Sequence, residues 1–181
     1  MRKLIFYLGI LSITTSCAGF KNTNFTELNK KNNLQNINGT YKSIPTTGNG
    51  FYVNTLTDVF DRNINMFNLN KKYNNEDAVV KLKMINENRL HVEISELENI
   101  LFSKNLRIKL KNDGFIYLKN KRLMVYGLLL IFGGWNFQKS RLSLDSNNNL
   151  KVHSNYFFCN GVLILMSDWK TFHYDLTFQK Q

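Results

Sequence analysis

From Asp77 to the C-terminus, apolar and polar residues alternate with a period of two, and this alternation constrains the fold more than any other feature of the chain. In Asp77 to Ile85, Val80, Leu82 and Met84 fall on one side, with Lys81 and Lys83 on the other. In Arg89 to Ser95, Leu90, Val92 and Ile94 alternate with His91, Glu93 and Ser95, and in Leu106 to Lys111, Leu106, Ile108 and Leu110 alternate with three cations. Arg141 to Leu144 and Leu150 to His153 repeat the pattern on a shorter scale, and Phe172, Tyr174, Leu176 and Phe178 share a side in the last run. Successive side chains of a strand point to opposite faces, so each segment reads as a half-buried antiparallel strand. Turn residues separate them: Asn86-Glu87-Asn88, Asn112-Asp113-Gly114, Asn120-Lys121, Ser146 to Asn149, and Asn160-Gly161. Asn and Gly take positive φ at little cost, which is why hairpin turns collect them. Twenty-seven of the 181 residues are Asn.

The expected fold is all-β, an antiparallel meander of about 8–10 strands joined by tight turns. Its two exposed edges are removed most simply by closing into a barrel, with an open, strongly bent sheet or a sandwich as the alternative. Leu123 to Phe132 is apolar on both sides and reads as a strand covered on both faces or bent at Gly127. Gly48-Asn49-Gly50 and Gly133-Gly134 read as turns, as does Ser167-Asp168. Asn54 to Arg62 carries Leu56, Val59 and Phe60 at helical spacing behind Asn54 or Thr55 as a cap, which predicts one short helix. At Asn38-Gly39-Thr40-Tyr41 the first strand opens with Gly-x-aromatic. This resembles the start of the first strand in lipocalin-type barrels, with Tyr41 where that family has Trp, and it implies a lipocalin-like small barrel.

The N-terminus has a different character. Met1-Arg2-Lys3 precedes the apolar run Leu4 to Ile13, followed by Thr14-Thr15-Ser16-Cys17-Ala18. Two cations, a ten-residue apolar stretch and a run of small residues make the layout of a secretory signal peptide, too short to span a bilayer permanently. Ser16 immediately before Cys17 resembles the lipobox of bacterial lipoproteins. The resemblance implies cleavage after Ser16 and acylation of Cys17, which becomes the first residue of the mature chain; Thr14 stands where that family more often has Leu. Ala18, which is not the Asp that retains some lipoproteins at the inner membrane, points to an outer-membrane destination. Domain boundaries follow: residues 1–16 as signal peptide, 17–38 as an Asn- and Lys-rich tether, and 39–181 as one β-barrel-like domain. Cys159, in Tyr156-Phe157-Phe158-Cys159, is then expected to be a buried thiol.

The chain has 24 Lys+Arg against 13 Asp+Glu, a formal charge of +11. Removing residues 1–16 takes away Arg2 and Lys3 and leaves 22 − 13 = +9. The cations of the alternating segments fall on predicted solvent faces among aliphatic residues, whereas single-stranded nucleic-acid platforms interleave cations with exposed aromatics. No nucleic-acid partner is therefore expected. Lys outnumbers Arg 18 to 6, which together with the Asn content reflects composition rather than a site.

No nucleophile elbow, phosphate loop, dinucleotide fingerprint or metal-ligand spacing occurs, so no metal, cofactor or catalytic residue is assigned. Glu93, Glu96 and Glu98 cluster in sequence but read as a solvated bend. His91 and His153 read as solvated strand residues. His173 and Asp175 fall on one side of the last strand, and with Trp135 or Trp169 they form the candidate ligand-contact set. The function expected is that of a membrane-anchored envelope lipoprotein without enzymatic activity, binding a small apolar ligand or another envelope component. The alternatives are a structural or assembly factor docking on an envelope protein through Leu128 to Phe132 and Trp135, and a secreted hydrolase built around His173 and Asp175.

Overall fold

The computed structural model describes residues 20, 31–61, 72–119, 122–128, 132–162 and 166–181. Among these, nine strands follow a 3-10 helix at Lys31–Ile37: β1 Gly39–Lys42, β2 Ala78–Asn86, β3 Arg89–Glu96, β4 Asn99–Leu110, β5 Ile116–Leu118, β6 Arg122–Leu128, β7 Phe132–Leu144, β8 Leu150–Val162 and β9 Met166–Phe178. One α-helix, α1 at Leu56–Phe60, lies between β1 and β2. All pairings are antiparallel and run β1-β2-β3-β4-β5-β7-β8-β9, with β6 paired to β7 off this path. The expected all-β meander is the observed fold.

The wall curls until its two edges meet. Lys42 N–H donates to the Gln179 carbonyl (3.1 Å), Gln181 N–H to Thr40 (2.9 Å), and Thr46 N–H to Thr177 (2.7 Å). Gly48 makes this approach possible: its φ is +85°, and a Cβ there would stand 2.2 Å from the Asp175 carbonyl oxygen. On the far side the wall is split. β4 pairs with β5 only over Ile108–Leu110 and β6 is bonded to β7, so the barrel is continuous at one end and open at the other.

The alternating apolar residues line the inside as expected. Val80, Leu82, Val92, Ile94, Ile108, Leu142, Val152, Leu176 and Phe178 are among the core residues. Each such side chain contributes roughly 1.5–3 kcal/mol by leaving water. Helix α1 joins this core with Leu56, Val59 and Phe60. Its start is fixed by a capping box: the Thr55 hydroxyl accepts from Asp58 N–H, and Asp58 Oδ2 accepts from Thr55 N–H at 3.0 Å. Such a box stabilises a five-residue helix that propensity alone would not hold.

Three sequence expectations need correction. The segment placed in the tether includes Lys31–Ile37, which is helical and contributes Leu34 and Ile37 to the core; the Tyr41 hydroxyl donates to the Ile37 carbonyl (2.8 Å). The folded domain therefore includes residues 31–38. Leu123 to Phe132 is not a single strand but the end of β6 and the start of β7, with Leu128 opposite Phe132. Gly133-Gly134, Asn160-Gly161 and Ser167-Asp168 are not turns: they lie inside β7, β8 and β9, and the β8–β9 pairing runs on to Val162 opposite Met166.

The β3–β4 hairpin turns through Leu97 and Glu98, with Glu96 paired to Asn99, and both turn residues have positive φ (45° and 72°). That conformation costs L-residues about 1–2 kcal/mol each, and Leu97 is 80% exposed, so no packing repays it. The double substitution Leu97→Asn with Glu98→Gly is expected to raise stability by about 1 kcal/mol or more. Thermal unfolding followed by circular dichroism reads this as a midpoint higher by a few degrees; an unchanged or lower midpoint would count against the strained turn.

Candidate functional site

Cys17 and Ser16 lie outside the described residues. Phe20, three residues beyond Cys17, sits against the outer wall, edge-on to Tyr117 (centroids 5.6 Å apart) and 4.6 Å from the Arg141 guanidinium. The sequence gives no hint of this contact, because its parts come from the N-terminal segment, β5 and β7.

Arg141 is the centre of the cluster. It occupies an outward position of β7 yet is only 4% exposed. Its guanidinium lies 3.9 Å from the centre of the Phe115 ring, and Nη1 donates to the Tyr117 hydroxyl at 3.2 Å. Tyr117 in turn donates to Asp113 Oδ2 at 2.6 Å, and Asp113 stands 3.8 Å from Arg141. Asp113 is held by the β4–β5 turn, where its Oδ1 accepts from Phe115 N–H. A guanidinium flanked by aromatic faces and ending on a carboxylate is a stable way to bury a cation, since aromatic faces and the anion replace its water. Burial, then the hydrogen bond to Asp113, raises the Tyr117 hydroxyl above its ordinary value, so this group stays protonated and donating.

His153 continues the cluster on β8, edge-on to Phe115 (5.2 Å). Its Nδ1 is hydrogen-bonded to Asp175 Oδ1 across the β8–β9 ladder, and His173 Nδ1 pairs likewise with Asn155 Oδ1 at 2.8 Å. The expected His173–Asp175 pair thus resolves into two cross-strand pairs, because each side chain meets its register partner before its neighbour two residues away. Burial pushes His153 below its ordinary pKa and outweighs the carboxylate of Asp175, while Arg141 lowers it further. Trp135 and Trp169 both stand in register with Cys159. They are four to six strand positions from His173 and Asp175, about 13–20 Å along the sheet, so the four expected ligand contacts do not converge.

Inside the wall, a polar group interrupts the apolar lining. Gln138 Nε2 donates to the Asp58 carbonyl of α1 (3.4 Å), and the hydroxyls of Ser140 and Ser154 are 2.6 Å apart. Beside them Tyr52, from the β1–β2 connection, stacks on Tyr156 at 4.5 Å, and its N–H donates a long bond to the Tyr174 hydroxyl at 3.3 Å. This polar contact positions α1 and the connection within the barrel. A shallow basin of about 490 Å³ lies on the opposite side, lined by Asn86, Glu87, Asn88, Arg89, Arg107 and Lys119. Among the described residues no three His, Cys, Asp or Glu side chains gather as a metal ion would require.

No family model matches the chain, and no curated protein or solved structure is recognisably similar to it.

The state of His153 sets a pH dependence. Its folded pKa is below the ordinary 6.5, so the folded protein binds fewer protons than the unfolded chain once pH falls beneath that value. The contribution is full above pH ~6.5 and is lost as pH falls toward the folded pKa. His91 works in the opposite sense: hydrogen bonds to Glu93 and Asn105 raise it, so its contribution is lost as pH rises through the folded value. The variant His153→Asn is expected to lose less stability than the parent between pH 7 and 5, measured by urea unfolding at several pH values. Equal slopes for the two proteins would contradict the buried neutral imidazole.

Proposed function

We propose that the chain is a lipid-anchored protein of a bacterial cell envelope. It is exported across the inner membrane, cleaved before Cys17 and acylated there, with the outer membrane as destination. Its barrel, of the lipocalin type, works by binding. The observation that carries this reading is the N-terminal order of two cations, a ten-residue apolar run and small residues ending at Ser16-Cys17. Acyl chains on Cys17 would hold the protein firmly, since each buried methylene adds about 0.8 kcal/mol. The contact of Phe20 with Tyr117 and Arg141 fits an anchored chain, because it keeps Cys17 within about 10 Å of the barrel wall.

Between a small apolar ligand and an envelope component, the second is favoured. Helix α1, held by Gln138, and the Tyr52 stack occupy the interior space that a lipocalin-type ligand would use. The outer surface by contrast exposes apolar side chains at Ile100 and Leu101 of β4 and at Phe51. An assembly factor that docks on another envelope protein uses the same surfaces and is the second reading.

Growth with an alkyne-bearing palmitate is expected to label the protein, and Cys17→Ser is expected to abolish both the label and recovery in the membrane fraction. An unlabelled parent protein, or label retained on Cys17→Ser, would end the lipoprotein reading.

A further inference from the structure

The basin of about 490 Å³ lined by Asn86, Glu87, Asn88, Arg89, Arg107 and Lys119 lies on the outer face of the wall, where β4 parts from β5. Its cations form one row across three strands. Arg89 of β3 stands in register with Arg107 of β4, and Ile108 N–H donates to the Asn88 carbonyl at 2.9 Å. That bond brackets a non-hydrogen-bonded pair, the kind whose Cα atoms approach to about 4.5 Å and whose side chains lie closest. On the other side of β4, Lys119 N–H donates to the Arg107 carbonyl at 2.9 Å, which places Lys119 directly opposite Arg107. Leu90 and Leu106 are buried in the core, so their neighbours Arg89 and Arg107 point outward, and all three cations are exposed.

Like charges directly opposite one another destabilise a sheet. Among the described residues the ion pairs between Lys or Arg and a carboxylate are Lys72–Asp61, Lys81–Glu93 and Arg141–Asp113, and Arg89, Arg107 and Lys119 take part in none of them. Glu87 is the single carboxylate of the lining, which leaves it a net charge of 3 − 1 = +2. Composition does not account for the row either: Lys outnumbers Arg 18 to 6, yet the two residues set face to face are both Arg. A guanidinium presents a planar fork that meets two oxygens of a phosphate at once, which an ammonium group cannot do. A pattern that costs stability and gathers the side chain best suited to phosphate marks a binding site rather than a scaffold contact.

We propose that this basin binds a phosphomonoester carried on a sugar or similar polyol. The phosphate sits over the Arg89–Arg107 pair, where two guanidinium forks and the Lys119 ammonium replace its water and offset the repulsion within the row. The carrier follows from the rest of the lining. No aromatic or aliphatic side chain is among the six residues, so neither a nucleobase nor an acyl chain finds a surface to stack or pack on. Asn86 and Asn88 supply amides suited to hydroxyl groups; Asn86 Oδ1 already accepts from Asn88 N–H at 3.0 Å, which leaves its Nδ2 to donate. The volume, about 490 Å³, exceeds what a bare phosphate fills and falls in the range of small-molecule sites. His91, two residues along β3, is not part of the set, because its ring nitrogens are taken by Asn105 and Glu93. The inference makes no use of the lipid anchor: it stands whether or not Cys17 is acylated, and its failure would leave the anchor standing.

The test uses the purified full chain, with whatever N-terminus the cell leaves on it. Calorimetric titration with glucose 6-phosphate at constant ionic strength is expected to show saturable binding, several-fold tighter than inorganic phosphate and absent with glucose. The double variant Arg89→Gln with Arg107→Gln is expected to weaken binding about tenfold or more, while its thermal midpoint stays equal or rises because the repulsion is gone. The charge-matched pair Lys151→Gln with Lys170→Gln, exposed on β8 and β9, is expected to change the affinity less than about twofold. No saturable binding, inorganic phosphate bound as tightly as glucose 6-phosphate, or equal weakening by the two folded double variants would each overturn the proposal. Should the arginine variant not fold, Arg107→Lys keeps the charge but loses the fork and is expected to weaken binding several-fold; unchanged affinity would overturn the proposal. Sedimentation with phosphatidylcholine vesicles, with and without phosphatidylinositol 4-phosphate, separates the sources. A gain on the doped vesicles that glucose 6-phosphate displaces assigns the phosphate to a lipid headgroup; no gain, with glucose 6-phosphate still bound, assigns it to a soluble sugar phosphate.

Discussion

An antiparallel sheet has two edges, and the rest of this molecule depends on how they are joined. The seam consists of a few backbone hydrogen bonds between Thr40–Thr47 and Thr177–Gln181. It curls the wall so that every alternating segment turns its aliphatic residues to a common interior. It also fixes Ser43, whose carbonyl accepts from Leu56 N–H, and so suspends α1 inside the barrel. Without the seam β1 would be a four-residue edge strand and β9 a thirteen-residue one, both open to pairing with other chains. Among the described residues no ladder joins the first part of β4 to β6, so the wall stays unclosed there. The β3–β4 hairpin is exposed along Asn99–Leu101.

Most of the wall was legible in the sequence because half-buried strands must alternate, and β2, β3 and the later part of β4 do so with cations outward. The position of α1 was legible through Thr55 and the Leu56–Val59–Phe60 spacing. What misled was local chemistry in the wrong place. Asn160-Gly161, Gly133-Gly134 and Ser167-Asp168 have turn composition but lie within β8, β7 and β9. The 3-10 helix was hidden because only Leu34 and Ile37 are apolar in an Asn-rich segment, and tertiary contacts alone fix them.

The outer cluster was illegible for another reason. Arg141, Phe20 and the Asp113-to-Tyr117 segment come from three parts of the chain, and no spacing links the three. His153 and Asp175 meet only through the register of β8 against β9, which alternation within one strand does not determine. Period-two reasoning correctly placed His173 and Asp175 on one side of β9; it could not supply the neighbouring strand. The resulting arrangement has a structural logic, in that Arg141 ends on Tyr117 and Asp113 and His153 ends on Asp175, which lets both be buried on the outside of a sheet.

The seam also sets when the molecule can fold. Its donors and acceptors include Thr177, Gln179 and Gln181, so the wall cannot close until residues 177–181 have left the ribosome. Contacts between residues some 135 positions apart are among the slowest to form, since the chain must find them across its whole length. Until then the chain is an open meander rather than a finished barrel.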